Sequence, residues 1–97
     1  MRILKDELYL TSLQGVLYNI AIDSIDQAVI FDMELESKIQ ALPDMPFKFR
    51  QSFFHDDPEI RDLIYKGYVV PYLVDSKRDQ IVILNIFTKR NYTENVT

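Results

Sequence analysis

Residues 59–91, EIRDLIYKGYVVPYLVDSKRDQIVILNIFTKRN, decide the fold. The stretch holds three runs rich in Val, Ile, Leu, Tyr and Phe, separated by Lys66-Gly67 and by the charged segment 76–80. Short apolar runs broken by turn residues predict a three-stranded antiparallel meander, here over residues 60–65, 68–75 and 81–88. With side chains alternating at period two, Ile81, Ile83 and Phe87 fall on one face of the last strand and Val82, Leu84 and Ile86 on the other. That strand is apolar on both faces, so both need a cover. Helices supply one cover. The other must come from a further segment or a partner, and the isolated chain should expose an apolar groove beside the last strand. Pro71 has no amide to donate, so it marks a non-bonded position or a bulge in the middle strand.

Working back from the meander, residues 43–58 carry prolines at 43, 46 and 58. Connections of such length usually serve a function or cover the edge of a core. Two amphipathic helices precede them. From Asp6 or Glu7, Leu10, Leu13, Leu17 and Ile20 recur at three- and four-residue spacing, with Tyr9 and Val16 beside them, which predicts a helix ending near Asp23. Gly15 costs this helix about 1 kcal/mol relative to alanine, so packing has to hold it. Ser24-Ile25-Asp26-Gln27 then fits a capping box, in which the serine hydroxyl accepts from the Gln27 amide and the glutamine side chain reaches back to the Ser24 amide. Asp26 suits the positive end of the helix dipole. The second helix sets Ala28, Phe31, Leu35, Ile39 and Leu42 on one stripe, and Pro43 stops it. With a short first strand over residues 2–5, the order is β-α-α-β-β-β. The expected architecture is a single α+β domain over residues 1–97, with a helical hairpin packed on one face of a largely antiparallel sheet and residues 92–97 a frayed tail.

Composition bounds the function. An apolar fraction of 47% with 12% aromatics supports one packed core in 97 residues. The absence of cysteine excludes disulfides, a thiol nucleophile and a cysteine-based zinc site. No window approaches the roughly 18 apolar residues of a membrane span, and MRILKDELYL lacks the apolar core of a signal peptide, so a cytoplasmic protein with no membrane partner is expected. The net charge of −4 is uneven: residues 1–42 hold three basic and seven acidic groups, residues 43–91 eight basic and seven acidic. A nucleic-acid binder needs a concentrated basic surface, and this chain has at most a local one around Lys48, Arg50, Lys89 and Arg90.

Taken in order, YNIAIDSIDQAVIFDMELESKIQALPDMPFKFR, IRDLIYKGYVVPYLVD and IVILNIFTKRN resemble the RelE/ParE superfamily of toxins from type II toxin–antitoxin modules. The residues that carry the resemblance are the break Ile20-Ala21-Ile22-Asp23-Ser24, the helix ending Leu42-Pro43, the strand Gly67-Tyr68-Val69-Val70-Pro71-Tyr72-Leu73-Val74, and the closing strand that leads to Arg90. The resemblance implies a growth-inhibiting toxin, of the kind used in plasmid stabilisation, that is wrapped by a cognate antitoxin. It implies operator DNA binding only through that antitoxin and no cofactor, with a homodimer and a heterotetramer with antitoxin both open. ParE-like members act on DNA gyrase as inhibitors and not as enzymes; RelE-like members enter the ribosome and cut messenger RNA. RNA-cleaving members carry alternating lysines on the strand before Gly-Tyr, an arginine just after that tyrosine and another past the last strand. Those positions are here Ile60, Asp62 and Val69, and only Arg90 is kept. Missing cations leave little to stabilise the charge that develops as a ribose hydroxyl attacks a phosphate. The resemblance is therefore more ParE-like than RelE-like. The alternatives are a ribonuclease using Arg90 and an inactive module kept for antitoxin binding.

Site candidates follow from position and chemistry. Contacts to a target or antitoxin are expected from Lys89, Arg90, Arg61, Lys48, Arg50 and Tyr92, against solvated strand ends or loop pins as the plain readings. Lys48 and Arg50 interleave with Phe47 and Phe49, a pattern that either stacks on bases or pins a loop to the core. Arg61 either faces a partner or pairs with an acid such as Asp57. An antitoxin groove is expected at Leu84, Ile86 and Tyr72. His55-Asp56-Asp57 offers poor ligand geometry on one loop and reads as a turn before Pro58, so no metal site is expected.

Overall fold

The computed structural model describes residues 1–88. Its elements are β1 (Arg2–Lys5), α1 (Glu7–Asp23), α2 (Ile25–Gln40), a 3-10 turn (Leu42–Asp44), β2 (Ile60–Tyr65), β3 (Tyr68–Asp75), β4 (Gln80–Ile83) and β5 (Phe87–Thr88). The two helices pack on one face of a mixed, mostly antiparallel sheet of order β1-β4-β3-β2, with β5 paired to β3.

The helical hairpin turns on Ser24. Its amide donates to the Ile20 carbonyl at 2.9 Å, which closes α1, and its hydroxyl accepts from the Gln27 amide at 3.2 Å, which opens α2. Only half of the expected capping box therefore forms. The Ser24 amide is already committed to α1 and has no hydrogen to offer the Gln27 side chain. At the other end of α1, the Asp6 carboxylate accepts from the Leu8 amide at 2.9 Å. The buried line of α1 is centred on Tyr9, with Leu13, Val16, Leu17 and Ile20 half-buried beside it; Leu10, expected in the stripe, is exposed. The α2 stripe lies as expected, with Ala28, Phe31, Leu35, Ile39 and Leu42 all buried.

β2 and β3 are joined by a two-residue turn in which Lys66 and Gly67 take positive φ, 48° and 82°. Two consecutive left-handed residues match the twist of the flanking strands, which is why a Gly-containing pair stands here. β4 pairs with β3 through Tyr72↔Ile83, and β5 pairs with it through Val69↔Phe87. Between those pairs β3 has two residues, Val70 and Pro71, and the facing strand has three, Leu84, Asn85 and Ile86. One extra residue on one side is a bulge, and it sits opposite the proline that lacks an amide. The Leu84 amide still reaches the Pro71 carbonyl at 2.9 Å.

The bulge overturns the alternation expected for residues 81–88. Adding one residue shifts the side-chain period by one, so Ile86 joins Ile81 and Ile83 in the helix-facing core and Phe87 turns to the other face with Val69. The long connection does cover an edge. The Ser52 amide donates to the Ile60 carbonyl at 2.8 Å and the Asp62 amide to the Arg50 carbonyl at 3.1 Å, so residues 50–52 run along the outer side of β2.

Candidate functional site

The helix-free face of the sheet is the surface that the family resemblance singles out, and the structure divides it in two. One half is capped: Asp62, Val69 and Pro71 are buried there, Phe54 and Phe87 meet edge-on with centroids 5.3 Å apart, and the Phe53 amide donates to Asp62 Oδ2 at 3.2 Å. The other half is left open by the described residues. Register places Leu4, Val82, Leu73 and Ile60 in one row across all four main strands, Leu4 exposed and the others half-buried. Apolar surface beside the last strand is thus present, but it is a row across the sheet and not a groove built from the three expected residues. Tyr72 and Ile86 are buried against the helices by the chain itself, Ile86 through the bulge, and of that trio Leu84 alone is part-exposed.

The basic candidates that fall within the described residues gather at the outer edge of β2. Arg50 places its guanidinium 3.4 Å from the Asp62 carboxylate and 3.9 Å from the Phe53 ring centroid. Arg61 donates to the Phe49 carbonyl at 3.2 Å and lies 4.9 Å from the Phe47 centroid. It does not pair with Asp57, whose carboxylate instead accepts from the Glu59 amide at 2.9 Å and shapes the turn at Pro58. Lys48 lies 5.3 Å from the Phe49 centroid. The aromatic pattern splits in role: Phe49 packs edge-on against Tyr72 at 6.5 Å, while Phe47 and Phe53 remain exposed over their arginines. Asp62 Oδ1 and the Nε atoms of Arg50 and Arg61 are buried without a hydrogen-bond partner. Lys89, Arg90 and Tyr92 lie outside the described residues.

The Tyr72 hydroxyl donates to the Pro46 carbonyl at 2.8 Å, and burial, with a smaller opposing effect from Arg61, pushes its phenol up to about 12, so it stays neutral. His55 Nδ1 sits 3.1 Å from the Ser52 hydroxyl, which also accepts from the Phe54 amide at 3.1 Å. Among the described residues no group of three His, Asp or Glu side chains is placed to hold a metal ion. Nor is any described helix long and apolar enough to cross a membrane.

Sequence reading missed the clamp formed by Arg50, Asp62 and the Phe53 amide. The available signal was an acid in the middle of an apolar strand, Leu-Ile on one side of it and a lone arginine on the other, facing a proline across the ladder. An acid so placed needs a partner.

The hairpin of two helices on a five-stranded mixed sheet has a counterpart among solved structures. The solved chromosomal ParDE toxin–antitoxin system from P. aeruginosa is similar to this chain over 91% of its length and 95% of the other, with a TM-score of 0.73 at 16% identity. Among curated proteins no sequence matches. The family model for the ParE toxin of the type II toxin–antitoxin system parDE matches residues 7–91, and this chain belongs to that family.

Proposed function

We propose that this chain is a growth inhibitor that acts in the cytoplasm on DNA gyrase and is neutralised by a cognate antitoxin. The observation that carries the reading is the character of the helix-free face. Where RNA-cleaving relatives of the superfamily carry cations, this chain has Ile60, Asp62 and Val69, all three on that face, with Asp62 and Val69 buried under the connection. A phosphate brought there would meet apolar surface, with no donor at those three positions to take up the developing charge. The low isoelectric point, about 4.8, acts in the same direction by repelling a polyanion.

The test is controlled induction in a bacterial host, a supercoiling and cleavage-complex assay with purified gyrase, and mapping of messenger 5′ ends in the induced cells. Trapped gyrase complexes with intact messenger are expected. Codon-aligned cuts with normal supercoiling would replace this reading with a ribonuclease, and an absent growth defect would replace it with an inactive module.

A further inference from the structure

The segment that follows α2 is tethered at several points. The Met45 amide donates to the Leu42 carbonyl at 3.2 Å, the Lys48 amide to the Met45 carbonyl at 3.1 Å, and the Tyr72 hydroxyl to the Pro46 carbonyl at 2.8 Å. Pro43 and Pro46 fix their own φ as well, so the segment has little backbone freedom left to lose on binding. Yet it presents apolar side chains outward. Met45 is 64% exposed and Phe47 46%, while Phe49 turns inward against Tyr72.

Between this segment and the last turn of α2 lies a cavity of about 320 Å³. Buried Leu42 and half-buried Phe49 give it an apolar lining, and Ala41 and Met45 line it from exposed positions. Such a space is at the small end for a ligand site and suits one large side chain. Lys38 and Lys48 also line it, and Asp44 is the one acid in the lining among the described residues. Neither lysine makes an ion pair among the described residues, nor does Arg61, which lies 4.9 Å from the Phe47 centroid.

A chain of net charge −4 therefore gathers unpaired cations around one preformed apolar cavity. A second copy would bring those cations against their own kind. A nucleic acid is repelled by the chain's overall charge and has no apolar side chain to fill the space. The surface fits a protein that offers an apolar anchor flanked by carboxylates. We infer that this cavity, with Phe47 beside it, is where the chain grips DNA gyrase, and that the gyrase surface it takes presents an apolar side chain between acidic ones. The inference rests on the gyrase reading above and adds the place and chemistry of the contact.

The test titrates the purified toxin against gyrase and reads both direct binding and trapped cleavage complexes. Ala41→Phe fills the cavity from an exposed position at the end of α2, and Lys48→Glu reverses one of its cations. Lys77→Glu, in the exposed turn between β3 and β4, makes the same change in net charge elsewhere and is the control. Circular dichroism and thermal melts verify folding; should Ala41→Phe unfold, Lys48→Glu decides alone. Ala41→Phe and Lys48→Glu are each expected to need at least about tenfold more protein for the same yield of complexes, with Lys77→Glu unchanged. Added salt should narrow the gap between the parent and Lys48→Glu. Either variant acting within about twofold of the parent overturns the placement, and so does an equal loss in Lys77→Glu. Lost antitoxin binding with gyrase trapping intact overturns it too and assigns the cavity to the antitoxin. A parent toxin with no effect on gyrase overturns the proposed function itself, and the inference with it.

Discussion

Asp62 shows how much one side chain carries. It is fully buried in β2, it receives the Arg50 guanidinium and the Phe53 amide, and through them it holds the connection against the sheet edge. Replacing it by alanine leaves a buried guanidinium edge and an amide unpaired, so Asp62→Ala should cost about 2 to 4 kcal/mol in urea-induced unfolding. Asp62→Asn, which keeps an acceptor for the Phe53 amide, should recover part of the loss. A second residue-scale expectation concerns acid. Burial raises the Glu36 carboxyl, but hydrogen bonds from Lys5 and Gln40 outweigh it and hold the group below its ordinary value of 4.5. A carboxyl depressed in the folded state adds stability above its unfolded value, and that stability is lost as pH falls through the folded one. Lys5→Met should therefore flatten the fall in melting temperature between about pH 5 and pH 3, and an unchanged acid limb would show that the pair contributes nothing. The pair is partly exposed, so added salt should shrink the difference.

At the scale of elements, what was legible in the sequence were the features whose causes are local. The Ser24 junction, the Lys66-Gly67 turn and the α2 stripe each depend on residues within one turn of one another, and each stands where its residues place it. The faces of residues 84–88 were not legible in that way. Period two is a property of an unbroken ladder, and this ladder is broken by Pro71, which lies on another strand. Pro71 predicted a non-bonded position, or that its own strand would take a bulge. In the structure the partner strand does, and Ile86 enters the core as a result. Deleting Asn85 should thus do less damage than truncating Ile86. The deletion removes the extra residue, and strict alternation from Ile83 then still points Ile86 inward, opposite Val70, and Phe87 outward, opposite Val69. Ile86→Ala is expected to cost about 2 to 4 kcal/mol and to remain folded. The deletion should keep a cooperative thermal transition; loss of that transition would mean that the bulge opposite Pro71 is needed for more than the placement of Ile86.

For the molecule as a whole, one layer of helices on one sheet leaves more apolar surface than the described residues cover. The connection caps the half of the helix-free face around Asp62 and Val69, while the row from Leu4 to Ile60 and the outer side of the hairpin stay open. Under the proposed function these are surfaces that a neutralising partner would cover. Any ligand that binds only the folded chain stabilises it by mass action, by about 2.7 kcal/mol at a free concentration one hundred times its dissociation constant. In a thermal melt, the transition of the toxin should rise steadily with the logarithm of antitoxin concentration, because each tenfold step adds about 1.4 kcal/mol. A melting temperature that stops rising once the partners are equimolar would show instead that antitoxin binds the unfolded chain as well, since only a partner blind to the fold leaves the equilibrium where it was.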